Sequence, residues 1–394
     1  MQNRKYTFKY NESMGRHGWL RLTPAYSVKL VEEIISDLGY SPICVLEPFS
    51  GTGTTELVCA NMGINSIALE INPFLVWLAN TKLKIYSNEN VDRFLLSANY
   101  IVENIDVFPV AELPQIYNIS RWWGIERLHF LAQLKSAIYS IHDSSFIDLL
   151  KIAFCRMVIE LSNASFNHIS TSFSNSENSF SFDECKKLFL AFCDVVASGA
   201  CRQPIAKSHV ELCDSKKIPH RFFNCYDVVI TSPPYPNRMS YIRELRPYMY
   251  WLDYLKNATE ASDLDWRAIG GTWGKATSLL LSWNAKYTLP PYVYEVANKV
   301  SLVENKSSTA MGNYILKYFE DINEHLSSVY SGIRDGGEVF YIIGNSSFYG
   351  TLINSEEIYA DIMERIGFKN VKYKVIRKRN CNKKLFEFVV SGKK

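Results

Sequence analysis

The chain has 394 residues, 47% of them apolar and 21% charged, and that balance excludes wholesale disorder. Lys plus Arg total 43 against 40 Asp plus Glu, a formal charge of +3, which excludes a basic coat over the whole surface while leaving room for a local basic cleft. No apolar run reaches the length of a membrane span, and the polar start from Met1 to Tyr6 has no signal-like core, so a soluble, cytoplasmic protein is expected.

Residues 1–24 are basic and aromatic, with Arg4, Lys5, Lys9, Arg16 and Arg21 among Tyr6, Phe8, Tyr10 and Trp19. Thr23-Pro24 predicts the start of a helix that runs through Val28, Val31 and Ile35 to Gly39. Ile43 to Leu46, between prolines, reads as a buried strand. A glycine turn leads to a helix from about Thr54, stopped at Gly63, and a second strand follows at Ser66 to Leu69. Strand, turn, helix and strand make a βαβ unit. Residues 86–205 read as a mostly helical insertion, with apolar periodicity over 123–160 and a Ser/Asn/Phe stretch at 162–182 that suits a surface loop.

Strands resume at Val210 to Cys213 and Tyr226 to Ile230, and a tyrosine-rich helix follows Ser240. Residues 256–310 read as irregular. An amphipathic helix through Ile315 to Val329 precedes a strand at Val339 to Ile343, and another helix ends at Gly367. The chain closes as a hairpin, Val371 to Ile376 with Leu385 to Val390, around the basic turn Arg377 to Lys384. Nine scattered cysteines form no Cys-x-x-Cys pair, so neither a zinc site nor a disulfide framework is expected.

Three segments carry chemistry. In Glu47-Pro48-Phe49-Ser50-Gly51-Thr52-Gly53-Thr54-Thr55, Gly51 and Gly53 permit a sharp bend between strand and helix and close approach of a ligand to the backbone. A plain tight turn is the bland alternative. The absence of a Gly-Lys-Ser/Thr ending disfavours an ATP phosphate loop. Glu70, at the end of the second strand and 17 residues after Gly53, is placed to accept from vicinal ribose hydroxyls, although a solvated strand-end carboxylate would look the same. Ser232-Pro233-Pro234-Tyr235 follows an apolar strand. Its prolines stiffen the loop and remove two N–H groups, so it presents a hydroxyl, carbonyls and an aromatic face to a planar group bearing NH₂. A proline-rich turn is the alternative.

With these in place the sequence resembles the S-adenosylmethionine-dependent amino-methyltransferases of DNA. The family's cofactor motif, Asp/Glu-Pro-Phe-x-Gly-x-Gly-Thr-Thr, matches Glu47 to Thr55, and its catalytic motif, Asp/Asn/Ser-Pro-Pro-Tyr/Phe, matches Ser232 to Tyr235. Weaker resemblance extends to Arg16 through Thr23-Pro24, a segment closing over the methionine end, and to Asp214, the expected adenine contact. The resemblance implies an α/β fold: a Rossmann-like class I methyltransferase sheet with a reversed C-terminal hairpin strand and a largely helical insertion. Residues 1–85, 206–255 and 311–394 would form the core and 86–205 the insertion; 256–310, which follows the catalytic loop and carries Trp266, Arg267, Trp273 and Lys275, is the candidate target-recognition region, with the Ser/Asn/Phe stretch at 162–182 as its rival.

The resemblance implies S-adenosylmethionine as cofactor, held by Thr23, Glu47, Pro48, Phe49, Gly51, Gly53, Thr54, Glu70 and Asp214, with Ser232, Pro233, Pro234 and Tyr235 as the catalytic residues. Double-stranded DNA is the implied substrate, in a restriction–modification setting with a cognate endonuclease, and a monomer is expected. The Ser form of the motif is typical of cytosine-N4 enzymes; adenine-N6 chemistry, an RNA amino-methyltransferase and an inactive binding subunit are the alternatives. An exocyclic amine is a poor nucleophile because its lone pair is delocalised. Acceptors on its N–H groups, here Ser232 Oγ and the Pro233 carbonyl, favour the pyramidal nitrogen. Tyr235 would stack on a base flipped from the duplex. Attack at cytosine C5 would need a nucleophilic cysteine, and no Pro-Cys step occurs in the chain.

Overall fold

The structure, a computed structural model, describes residues 4–20, 22, 25–165, 172–173, 180–237, 240–272, 274–379 and 384–394. Seven strands form one sheet: β1 (Val45–Glu47), β2 (Ser66–Glu70), β3 (Ser208–Leu212), β4 (Val228–Thr231), β5 (Glu338–Gly344), β6 (Lys369–Lys378) and β7 (Phe386–Lys393). Their order across the sheet is β3-β2-β1-β4-β5-β7-β6. The pairs among β1 to β5 are parallel, whereas β7 runs antiparallel to both β5 and β6. Every residue of β1, β2 and β4 is buried, as parallel strands covered on both faces must be. The strand order reverses between β1 and β4, and ligands of open α/β sheets bind in the crevice that opens at such a point.

The helices are α1 (Val28–Asp37), α2 (Thr54–Asn61), α3 (Pro73–Leu83), α4 (Asn88–Glu103), α5 (Ile119–Trp122), α6 (Ile125–Tyr139), α7 (Ile147–Glu160), α8 (Phe182–Ala200), α9 (Tyr241–Trp251), α10 (Ala258–Arg267), α11 (Ala276–Leu281), α12 (Pro291–Ser301), α13 (Ser308–Gly332) and α14 (Ser355–Ile366). Their starts follow capping chemistry. Asn72 caps α3 with Pro73 in its first turn, and Ser87 and Ser181 form capping boxes with Asn90 and Glu184. Apolar residues of α12, α13 and α14 pack with the β4, β5 and β7 strands in one cluster, while α1 and α2 cover the opposite face. Helices α4 to α8 share a third cluster with α3, α9 and the N-terminal residues Trp19, Leu20 and Leu22.

The structure departs from the sequence reading in several places. Residues 256–310 are not irregular: they hold α10, α11 and α12, with Asn257 capping α10 and Pro291 opening α12. Gly270, Gly271 and Pro290 punctuate the connections and obscure the short helices in the sequence. The first helix begins at Val28 with Ser27 as its cap, four residues after Pro24. The first strand starts at Val45, because the amides of Ile43 and Cys44 bond the Asp227 carboxylate instead of a neighbouring strand. A small hairpin, Ser346–Phe348 with Thr351–Ile353, has no clear signal in the sequence. Most of the 162–182 stretch lies outside the described residues; of its aromatics, Phe173 meets Trp122 edge-on.

Arg16 lies inside the molecule, only 3% exposed. Its guanidinium donates to the carbonyls of Gly199, Lys82, Lys84 and Ala200 and to Gln203 Oε1, at 2.6–3.1 Å. It thereby ties the N-terminal segment to the ends of α3 and α8, and burial pulls its pKa down to about 10. Replacing Arg16 by Ala would take the side-chain donor from the Lys82 and Lys84 carbonyls and break the tie, while Gly199, Ala200 and Gln203 keep donors in Arg202, Gln203 and Tyr86. We expect Arg16→Ala to lower the unfolding free energy by about 3 kcal/mol or more, read as a fall in denaturation midpoint; a shift within error would show that the clamp contributes nothing.

Candidate active site

A cavity of about 530 Å³ opens at the carboxyl ends of β1, β2 and β4. The chain turns sharply at its floor. Gly51 and Gly53 have φ of +54° and +76°, the left-handed region that side chains other than glycine enter at a cost. Gly53 also packs on α3: a Cβ there would sit 3.0 Å from the Ala79 Cβ. A Cβ on Gly51 would meet only the Phe49 carbonyl, at 3.7 Å, since that residue faces the cavity.

Of the sequence-derived residues, Pro48, Phe49, Gly51, Glu70, Asp214, Ser232, Pro233, Pro234 and Tyr235 line this one cavity. Glu47, Gly53 and Thr54 stand behind its wall, and Thr23 lies outside the described residues. Glu47 is fully buried at the end of β1. Its Oε1 accepts from the Phe49 amide at 2.9 Å and from the Thr231 hydroxyl. Its Oε2 accepts from Tyr26 Oη at 2.6 Å and Thr55 Oγ1 at 2.9 Å. A carboxylate has about four acceptor positions, and all are filled from within. Glu47 therefore holds the site together and has no lone pair left for a ligand.

Glu70 differs. Its two oxygens accept from the Gly51 amide at 2.9 Å and the Asn72 amide at 2.8 Å, the Ile71 amide also bonds the carboxylate, and the group still lines the cavity with acceptor capacity left. Burial raises its pKa despite these bonds. Asp214 is anchored by the Lys216 amide at 3.0 Å. The carbonyl of the adjacent Ser215 accepts from buried His325 Nδ1 at 2.9 Å, while His325 Nε2 accepts from Tyr341 Oη at 2.9 Å. Burial lowers the His325 pKa to about 4, so the ring is neutral and can donate and accept at once.

The catalytic-motif loop is fixed through its backbone. The Pro234 carbonyl accepts from Tyr318 Oη at 2.8 Å, and the Tyr235 amide donates to Tyr241 Oη at 3.3 Å. Among the described residues no group donates to the Pro233 carbonyl. Burial pushes the Tyr235 phenol pKa well up, and Glu387 adds to the rise.

Sequence reasoning missed Tyr26, Tyr241, Tyr318 and His325. Isolated aromatics and a helical His give no local signal, because their role comes only from contacts across the chain. It also missed the charges beneath the glycine loop. Lys82 Nζ, buried in α3, donates to the Thr52 carbonyl at 2.7 Å, and burial lowers its pKa to about 7. No described cluster of His, Cys, Asp and Glu could hold a metal ion.

No protein-family model matches the chain. It is 22% identical to the Type II methyltransferase M.BsoBI of Geobacillus stearothermophilus, over 96% of this chain and 84% of that protein. It is 21% identical to the Type II methyltransferase M.AvaI of a Nostoc species, over 94% of this chain and 82% of that protein. The chain is a homologue of the Type II methyltransferases. A shorter stretch of 52 residues is 42% identical to the Type II methyltransferase M.MjaII of Methanocaldococcus jannaschii, 13% of this chain and 10% of that one.

In this methyltransferase homologue Glu56, fully buried in α2, has neither carboxylate oxygen within a well-formed hydrogen bond. Burial, with Glu47 nearby, raises its pKa to about 8. A group with a raised folded pKa stabilises the fold below its unfolded pKa, and that contribution is lost as pH rises through the folded value, here over about pH 4.5 to 8. Glu56→Gln removes the loss. We expect the variant to gain roughly 2–4 kcal/mol over wild type at pH 8 relative to pH 5 in denaturant unfolding; parallel pH profiles would refute the assignment.

Proposed function

We propose that the protein is a DNA methyltransferase of a restriction–modification system, transferring a methyl group from S-adenosylmethionine to the exocyclic N4 of a cytosine extruded from double-stranded DNA. One observation carries the reading. In a homologue of Type II methyltransferases, the glycine loop, Glu70 and Ser232-Pro233-Pro234-Tyr235 share a single cavity at the sheet's point of strand reversal.

The residues fit the cofactor. Gly51 opens the floor, Phe49 offers an aromatic wall, and Glu70 and Asp214 supply acceptors for the hydroxyls of a ribose and the amine of an adenine. When bound, S-adenosylmethionine supplies an electrophilic methyl carbon on a positively charged sulfur. The chain does the rest. Ser232 Oγ and the Pro233 carbonyl accept the two N–H groups of the target amine and stabilise its pyramidal form. The absence of a described donor on the Pro233 carbonyl supports this choice, since the neighbouring Pro234 carbonyl is taken by Tyr318. Tyr235 stacks on the base. The Ser at position 232 supports cytosine, as serine is the form typical of cytosine-N4 enzymes in the family that the motif resembles.

Specificity is assigned to 256–310. Its Arg267 lines the cavity, and Gly270 stands beside Pro234 of the catalytic loop. Trp266 instead packs half-buried against the core with Lys317 above its ring at 4.9 Å, and Trp273 lies outside the described residues. For contact with the DNA phosphates the N-terminal segment offers Lys9 on the cavity wall, and the basic turn of the hairpin offers exposed Lys384. Asn380 to Lys383 of the basic turn lie outside the described residues.

Four outcomes test the reading. Gly51→Val should abolish S-adenosylmethionine binding in calorimetry, because it places a branched side chain in the ligand's path at positive φ; unchanged affinity would displace the cofactor from this loop. Ser232→Ala should lower kcat on DNA more than it raises the DNA Kd, because its hydrogen bond strengthens as the nitrogen pyramidalises. Tyr235→Ala should weaken both, by about 1–3 kcal/mol for the lost stack. Mass spectrometry of nucleosides from DNA methylated in vitro should show N4-methylcytosine; N6-methyladenine would overturn the base assignment, and 5-methylcytosine the mechanism.

A further inference from the structure

We infer that Arg379 is a positioning residue for Tyr235, holding the ring against Gly344 at the end of β5 so that its free face is presented to the target base. The inference rests on the proposed stacking role of Tyr235.

The arrangement is built from both sides. Gly344 is the last residue of β5, and the Tyr235 ring and Arg379 both close on it. A Cβ at Gly344 would lie 2.9 Å from Arg379 Nη1 and 2.9 Å from Tyr235 Cδ2 and Cε2, closer than carbon atoms pack. The strand end thus has room for the ring and the guanidinium only because it carries no side chain. Arg379 sits with Cζ 5.7 Å from the Tyr235 centroid, within range of a cation–π contact.

Arg379 is itself held in place. Its Nη1 donates to the Asn345 carbonyl at 3.0 Å, and its own amide donates to the Leu385 carbonyl at 2.8 Å across the hairpin. Asn345, only 3% exposed, locks the same hairpin end. Its Oδ1 accepts from the Phe386 amide at 2.8 Å, and its Nδ2 donates to the Lys384 carbonyl at 3.1 Å. Two residues away in the strand, Arg377 is neutralised by a two-pronged pair with Glu387 at 2.5 and 2.6 Å. Among the described residues Arg379 has no acidic partner, so its charge is directed at the ring and the cavity. The reversed hairpin thereby acts on the catalytic loop, which lies two strands away in the sheet.

The test compares wild type, Arg379→Lys, Arg379→Met and Gly344→Ala. In ligand-free crystal structures the Tyr235 ring should keep its place in wild type and Arg379→Lys and leave it in Arg379→Met and Gly344→Ala. On unmethylated bacteriophage DNA with labelled S-adenosylmethionine, Arg379→Met should lose about tenfold in kcat and Arg379→Lys should restore most of it, with cofactor affinity unchanged in both. Tyr235 rings that superpose in all four proteins would overturn the inference. So would a fall of about one unit in the salt dependence of DNA binding for Arg379→Met, which would make Arg379 a phosphate contact instead. If wild type transfers no methyl group to DNA, the proposed function fails, and the ring position in Arg379→Met still decides the inference.

Discussion

The site depends on a buried carboxylate. Glu47 ends β1 and accepts hydrogen bonds from Tyr26, Phe49, Thr55 and Thr231, which come from the N-terminal segment, the glycine loop, α2 and β4. Taking a carboxylate out of water is costly, and four donors offset that cost only while all four segments are in place. Burial still outweighs them, leaving the pKa raised to about 7. One side chain thus makes the cofactor loop and the strand that leads to Ser232 parts of one rigid unit. Glu70 repeats the device more weakly on β2, bonded by backbone amides alone and lying on the cavity wall.

The catalytic loop is rigid for a second reason. Its prolines remove the amides that would otherwise tie it to its neighbours. Tyrosine hydroxyls supply the ties instead. Tyr318 from α13 holds the Pro234 carbonyl, and Tyr241 from α9 meets the Tyr235 amide. Tyr318 also bonds Tyr359 of α14 at 3.0 Å, so the loop is referred back to the core of the sheet. Tyr318 and Tyr359 are buried rings whose hydroxyls reach polar partners.

The helical region does not pack as a separate body. Its apolar cluster runs on through α3, α9 and α10 and takes in Trp19 and Leu22 of the N-terminal segment. Arg16 adds a polar tie at the same seam. The N-terminal segment therefore reaches the cavity, through Tyr6, Lys9 and Tyr26, from a base fixed in the helical layer.

The sequence by itself determined the elements whose signals are local. The glycine pair after an apolar strand, the prolines after another, the capped helices and the terminal hairpin each follow from backbone sterics and periodicity within a short window. Among the residues that line the cavity, Pro48, Phe49, Gly51, Glu70 and Ser232 to Tyr235 were legible for that reason, and Asp214 only through the family resemblance. Tertiary structure alone decided which carboxylate faces the cavity. Glu47 and Glu70 both end parallel strands, and only the count of donors folded around each shows that one is filled and the other open. It alone turned the apparently irregular 256–310 into three helices, whose short amphipathic patterns become decisive only against α13 and the sheet. It alone, too, placed Arg16 inside, Arg377 in an ion pair and Arg379 over Tyr235. A charge run in sequence is the same whether its members are solvated, paired or buried, and what separates them is the partner that the fold brings from elsewhere in the chain.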